Sequence, residues 1–158
     1  MANTMTLISS VTVGVGGAAS IDFTSIPSWV KRVTVMFNGV SLSGSASPLI
    51  QIGSGSVVTT GYVGSTVGFS ATISNVTQST IGLQVSSASA TDSQYGSAVI
   101  QSMTGNAWVM NSVVGTNTIR GAIAGASISL SGALDRVRIT TTNGTDTFDA
   151  GTINLLWE

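Results

Sequence analysis

The sequence predicts an all-β protein that folds as a single antiparallel β-sandwich, jelly-roll-like, with about ten to twelve short strands. Three observations predict this class. Apolar and polar residues alternate along most of the chain, turn residues recur at roughly ten-residue intervals, and no segment has the apolar spacing of a helix. The length of 158 residues fits one domain, so we assign residues 1–158 to one sandwich.

Each predicted strand is a segment in which every second residue is apolar, the pattern of a strand with one buried side. Many of these residues are Val, Ile and Thr, whose branched Cβ favours extended backbone. In chain order the predicted strands lie within residues 5–13, 33–37, 67–73, 81–85, 127–131, 136–140 and 153–158.

Glycine-rich and Asn-Gly segments mark the predicted turns between strands. Asn-Gly pairs accept the positive φ angles that tight hairpin turns require. The predicted turns are residues 14–17, Asn38-Gly39, residues 53–55, Gly105-Asn106 and Asn143-Gly144. Residues 86–96 are rich in Ser and Ala and are predicted to form a long loop that contains Tyr95.

The composition excludes several classes of chemistry. The chain has no His and no Cys, so it has no imidazole or thiolate metal site and no Ser-His or Cys-His nucleophile. Lys31, the one lysine, lies beside Arg32 at a predicted strand start, where we expect it to be exposed rather than activating a serine. We therefore expect no enzymatic activity and no cofactor.

Charge and hydropathy also limit the partners. With 5 Lys plus Arg and a net charge of -1, the chain lacks the cations that bind nucleic acid. No apolar run approaches the ~18 residues that a membrane-spanning helix needs, so we expect no membrane partner. Residues 1–8 have neither the basic segment nor the apolar core of a signal peptide, which predicts synthesis in the cytoplasm.

The low charge itself suggests a role. Charged residues make up 7% of the chain, against roughly 25% in an ordinary domain. A surface of hydroxyls, amides and glycine can pack against other subunits without the cost of desolvating ions. The composition therefore favours an assembly protein over a monomer that merely tolerates low charge.

A polar cluster near the C-terminus allows four interpretations. Its members are Asp135, Arg136, Arg138, Asn143, Asp146 and Asp149. Asn143, Asp146 and Asp149 could bind Ca²⁺, which prefers oxygen ligands, or two carboxylates could serve a glycosidase. Alternatively, an Asp-to-Arg ion pair could set the register of strands or subunits, with Asp135, Arg136 and Arg138 as the candidates. We favour a fourth interpretation, a hairpin whose short acids bond nearby backbone amides.

Two aromatic residues are candidates for contacts with other molecules. Trp157 shares a predicted strand face with Ile153 and Leu155, which indicates either the core or a subunit interface. Tyr95 lies in the predicted long loop and is therefore the better candidate for stacking on a sugar.

Several segments resemble domains of tailed-bacteriophage virion proteins. They are residues 7–13, 21–27, 31–40, 51–53 and 61–62 and, most specifically, 135–158. The resemblance implies a β-sandwich, often trimeric, found on capsids or at the tips of tail fibres. It implies localisation in the virion, a homotrimer and contacts with the major capsid protein or other virion proteins, and it implies no catalytic residues.

The extent of the predicted sandwich favours one of these positions. A tail fibre needs a region that joins it to the tail and an extended shaft, whereas this chain enters the sandwich near Met5 and leaves it at Glu158. We therefore expect a capsid decoration or cement protein that stabilises the head. The alternative is a receptor-binding domain of a tail fibre or tail tip that presents its loops to a host-surface glycan.

Overall fold

The computed structural model describes residues 6–12, 17–71, 74–86 and 89–158, and the regular elements among them are all strands. The strands are β1 (Thr6–Thr12), β2 (Ile21–Thr24), β3 (Arg32–Leu42), β4 (Pro48–Ser54), β5 (Ser56–Val57), β6 (Val63–Ser70), β7 (Ser74–Ser79), β8 (Leu83–Gln84), β9 (Gln94–Ser102), β10 (Ala107–Thr116), β11 (Arg120–Ser129), β12 (Arg136–Thr141) and β13 (Phe148–Trp157).

The strands form two antiparallel sheets that pack face to face. Sheet A has eight strands in the order β1-β13-β3-β9-β10-β11-β6-β7. Sheet B has the order β2-β12-β4-β5, with β8 also paired to β4. The all-β sandwich is confirmed, while the jelly-roll connectivity stays a prediction. The count of strands among the described residues exceeds the expected ten to twelve because β5 and β8 have only 2 residues each.

The core lies between the sheets and is built from alternate residues of the long strands. In β3 the buried side chains include Val33, Val35 and Phe37, and on its neighbour β13 they include Ile153 and Leu155. Sheet B faces them with further buried aliphatic side chains from β4 and β12. Burial of these apolar side chains away from water is the main force that holds the two sheets together.

Three predicted turns are confirmed and one is wrong. Gly55, Gly105 and Gly144 have φ angles of 73°, 71° and 68° in turns between strands. Asn38-Gly39 instead lies inside β3, where the register with β9 shifts between Asn38 and Val40. Gly39 has a φ of 67°, which a β-bulge accepts as readily as a hairpin turn does. Of the turn predicted at residues 14–17, positions 14–16 lie outside the described residues.

The long loop predicted at residues 86–96 is wrong at its C-terminal end. Strand β9 begins at Gln94, so Tyr95 is a strand residue. Its inner side starts with the buried amide of Gln94, whose Oε1 accepts a hydrogen bond from Ser86 Oγ at 2.6 Å. Because a polar residue occupies this core position, the segment lacks the apolar alternation that would have indicated a strand.

Candidate protein-binding face

A row of aliphatic side chains crosses four neighbouring strands of sheet A. In the register, Val113 of β10 lies opposite Ile123 of β11, Ile123 opposite Val67 of β6, and Val67 opposite Val76 of β7. Directly opposite residues of paired strands project to the same side of a sheet. The four side chains therefore form one continuous row on one side of sheet A.

This row lies on the outer side of sheet A, the side turned away from sheet B. The neighbouring positions Val114 and Ala122 point inward and are 1% and 0% exposed. By contrast, the exposed fractions are 63% for Val113, 50% for Ile123 and 68% for Val76. The strands thus place aliphatic side chains on both sides of the sheet, and among the described residues only the inner side is covered.

Phe69 and Val63 of β6 extend the row in both directions along the strand. A Cβ placed on Gly121, the residue opposite Phe69, would come within 2.8 Å of the Phe69 ring. Glycine therefore lets the ring lie across β11. Phe69 is 50% exposed and Val63 is 75% exposed. We call the outer-side residues Val63, Val67, Phe69, Val76, Val113 and Ile123 the apolar face.

The apolar face carries no charged side chain on the described residues of its four strands. Arg120 begins β11, but it projects to the other side of the sheet from Gly121 and Ile123. Its Nη1 lies 3.3 Å from Oδ2 of Asp92, whose side chain is 1% exposed. Between the apolar side chains, the outer side offers mainly glycine, serine, asparagine and glutamine.

The extent of this face indicates what it can do. Four strands spaced by ~4.8 Å and about eight residues long cover roughly 500 Å². The six apolar side chains occupy part of this area, and the largest apolar patch of a typical monomer, roughly 300–600 Å², is often a functional surface. Aliphatic side chains gain free energy when they leave water, so this face is suited to binding another protein surface.

The predicted Ca²⁺ ligands Asn143 and Asp146 stabilise a hairpin. Asn143 Nδ2 donates to Asp146 Oδ1 at 2.9 Å, and the backbone N–H of Ala46 donates to Asp146 Oδ2 at 2.8 Å. These two hydrogen bonds, the one from Asn143 first, lower the pKa of Asp146. Asn143 Oδ1 in turn accepts the backbone N–H groups of Thr145 and Asp146. The oxygens that would ligate a cation are thus occupied by protein donors.

Asp149, the third predicted Ca²⁺ ligand, interacts with a different element. Its Oδ1 accepts a hydrogen bond from Ser41 Oγ, which links β13 to β3. Over the described ranges, no group of three or more acidic, His or Cys side chains is placed to hold a metal ion. The geometry therefore favours the hairpin interpretation of this segment.

The predicted register residues Asp135, Arg136 and Arg138 form two ion pairs. Arg136 Nε lies 2.7 Å from Oδ1 of its neighbour Asp135, and this hydrogen bond is the main reason why the pKa of Asp135 is lowered. Arg138 of β12 binds Asp22 of β2 through two hydrogen bonds of 2.7 and 2.9 Å. An Asp-Arg pair therefore does link two strands, whereas a role between subunits stays a prediction.

Sequence reasoning missed Asp22 as the partner of Arg138. The two residues are 116 positions apart, and only the antiparallel pairing of β2 with β12 brings them opposite each other. Asp22 alternates with the apolar residues Ile21 and Phe23, which signals an outward position but not its partner.

The two aromatic candidates lie on opposite sides of sheet A. Trp157 is 8% exposed and belongs to the core, so it is not available as the subunit interface that we considered. Tyr95 is 46% exposed on the outer side, where its hydroxyl would lie 3.7 Å from a Cβ placed on Gly39. It pairs with Gly115 of β10 and therefore adjoins the apolar face.

A polar cleft on the outer side of sheet B is a weaker candidate site. Its lining includes Gln51, Arg138 and Thr140. Gln51 Nε2 already donates to the backbone carbonyl of Ile81 at 2.8 Å, and Thr140 Oγ1 donates to that of Ala19 at 2.9 Å. With these donors and the Arg138 guanidinium engaged within the chain, the cleft is less suited to a ligand than the apolar face is to a protein.

Comparisons of the chain with protein-family models, curated proteins and solved structures found no match. The resemblance to phage virion domains therefore stays a prediction. In the described part of the chain, no helix has the length and apolar character needed to cross a membrane.

Proposed function

We propose that this chain is a non-enzymatic structural protein that binds to a larger protein assembly through its apolar face. The observation that carries the proposal is the row Val113, Ile123, Val67 and Val76, three of whose members are exposed. The described residues of these four strands place no charge on that side of sheet A. Burying apolar area contributes about 25 cal/mol per Å² before the costs of association. No ion on that side of these four strands has to be desolvated, so the cost of desolvating charge does not reduce this gain.

The assembly that we propose is the head of a tailed-phage virion, where the chain acts as a decoration or cement protein. The segments that resemble phage virion domains support this choice, as does the low charge of 7%. The partners are further copies of the chain, in a homotrimer, and the major capsid protein. Repetition of one modest contact over a symmetric shell multiplies its effect, because the second contact forms within an assembly that already exists.

Site-specific labelling of intact virions tests this proposal. The chain has no Cys, so a Thr24→Cys variant can carry one gold label on sheet B, away from the apolar face. In electron micrographs we expect the label on the heads. A label on the tails would contradict the head role and support the alternative below, and unlabelled particles would contradict both.

A matched variant checks that binding uses the apolar face. Val113→Cys carrying the same bulky label, at a site that is also exposed, should fail to decorate heads. Virions that lack the protein should also lose infectivity at a lower temperature than complete virions. Decoration by both labelled variants would show that the apolar face is not the contact.

The alternative function is that of a receptor-binding domain at a tail tip. One observation favours it: the half-exposed ring of Tyr95 lies on the outer side of sheet A, where a sugar could stack on it. In this case the label would lie on tails, and soluble protein would compete with phage adsorption. Tyr95→Ala would abolish this competition.

A further inference from the structure

Strand β7 leaves one edge of sheet A open. Within the part of the chain that the structure describes, β7 pairs with β6 alone, and its register runs from Ser74 to Ser79 without a shift. Its sequence, SNVTQS, contains neither proline nor a charged residue. Proline, charges and bulges are the usual means by which proteins prevent an edge strand from pairing with another chain.

The opposite edge of the same sheet is different. Strand β1 pairs with β13, and the register between them shifts between Leu7 and Ser9. Such a bulge twists an edge and interrupts the regular ladder that a further strand would need. Sheet A thus has one irregular edge and one regular edge, and the regular edge adjoins the apolar face.

Four consecutive residues of β7 are exposed, so the middle of the strand is open on both sides of the sheet. Asn75, Val76, Thr77 and Gln78 are all exposed, Val76 to 68%. On the outer side, the aliphatic row of the apolar face ends at Val76, the last position before the open edge. An aliphatic row that stops at an unpaired strand is completed when another strand adds a valine or a similar residue beside it.

We propose that β7 pairs antiparallel with β7 of a second copy of this chain, which joins two eight-stranded sheets into one. This inference rests on the proposed function in one respect, that the chain assembles with its own copies. A second β7 can pair with this edge without bringing any charge into the contact, because both strands are uncharged. The contact is isologous, because each copy contributes the same strand, so a two-fold axis relates the two copies. It is therefore separate from the three-fold contacts of the proposed homotrimer and would join a copy in one trimer to a copy in another.

Symmetry and side-chain chemistry select the register. A two-fold axis perpendicular to the sheet leaves the outer sides of both copies facing the same way. Residues that lie opposite each other across the contact must therefore project to the same side of the joined sheet. Val76 opposite Val76 of the second copy continues the aliphatic row across both sheets. It also places Ser74 opposite Gln78 and Asn75 opposite Thr77, which are polar pairs. The next registers that the two-fold axis allows would put Val76 opposite Gln78 or opposite Ser74, and the aliphatic row would then be interrupted.

Single-cysteine crosslinking tests this register, because the chain contains no other Cys. In the proposed pair, the two copies of Val76 lie directly opposite, within the Cα separation that a disulfide spans. The two copies of Thr77 are about 8 Å apart, beyond the ~7 Å limit. On mild oxidation, Val76→Cys should form a covalent dimer at least ten times faster than the control Thr77→Cys, as read by non-reducing electrophoresis.

Two further measurements keep the test decisive. Val113→Cys, on the apolar face but away from the edge, should crosslink slowly, and faster crosslinking there than at position 76 would overturn edge pairing. In the wild-type protein, hydrogen exchange of the β7 amides should slow as protein concentration rises. Exchange independent of concentration, or equal crosslinking at positions 76 and 77, would also overturn it. None of these measurements involves virions, so a failure of head binding would be recognised separately.

Discussion

The outer side of sheet B carries charged residues, whereas the half of sheet A formed by β10, β11, β6 and β7 carries none on that side among its described residues; the other half of sheet A carries the ion pair Arg32-Glu158. Sheet B carries the ion pairs Arg138-Asp22 and Arg136-Asp135, in which each charge is neutralised by a neighbour. The half of sheet A formed by β10, β11, β6 and β7 exposes aliphatic side chains instead and has no charge on that side in its described residues. The low charge of the chain is therefore not spread evenly over its surface.

This difference indicates which side faces protein. Charged groups are strongly hydrated, and removing them from water is costly even when they are paired. Aliphatic side chains gain free energy when they leave water. Sheet B is thus suited to remain in solvent, while the apolar face of sheet A is suited to be covered.

The largest expected effect is on association, and it is measured by placing a charge first on the apolar face of sheet A and then on the outer side of sheet B. Ile123→Asp should weaken association, with heads or between copies, by about 30-fold or more, as expected for the centre of an interface. Thr24→Asp, an exposed position on sheet B, should change it less than about 2-fold. Sedimentation and head-binding assays measure both variants. Similar effects of the two substitutions would break the comparison between the sheets.

A smaller effect is expected from removing an ion pair of sheet B. The Arg138 and Asp22 side chains are 34% and 39% exposed, so solvent screens their attraction. Asp22→Asn should lower the free energy of unfolding by about 0.5 kcal/mol, and by less in high salt. Urea denaturation with a double-mutant cycle on Arg138→Gln measures the coupling. A coupling above about 2 kcal/mol would show that sheet B depends on this pair far more than an exposed pair should.

The smallest effect concerns the pH dependence of the C-terminal hairpin. The pKa of Asp146 is lowered in the folded state by the hydrogen bonds from Asn143 and Ala46. The stabilisation is therefore complete above the unfolded pKa of about 4 and is lost as the pH falls through the lower folded value. Asp146→Asn should make the thermal midpoint less dependent on pH between about 5 and 2. Parallel midpoint curves for the two proteins would contradict this role of Asp146.

Sequence periodicity predicted the strands that are buried on one side only. Val33, Val35 and Phe37 alternate with polar residues, and they lie in the core of β3 as expected. Strand β10 could not be recognised in this way, because Val109 and Val113 on its outer side stand between Trp108, Met110 and Val114 on its inner side. A strand with apolar residues on its outer side as well lacks the alternation by which strands are predicted. The same outer apolar residues make that strand part of a candidate interface.

The polar hairpin was predictable because its contacts are local, whereas the apolar face was not. Asn143, Gly144 and Asp146 bond within a few positions, so their residue types alone favoured a turn. Val67, Val76, Val113 and Ile123 come from four strands, and nothing in their own segments shows that they are neighbours. The sequence missed this face for the same reason that it missed the pairing of Asp22 with Arg138.

By itself, the sequence determined the all-β class, the absence of thiol and imidazole chemistry, and the low charge. Periodicity and composition are properties of single segments, so they can be read without knowing how strands pair. Only the tertiary structure decided which strands are neighbours, which side of sheet A is covered, and that β7 ends the sheet with a regular edge. The physical reason is that register is set by pairing and packing between segments far apart in the chain, and a shift of one residue would turn every side chain to the other side.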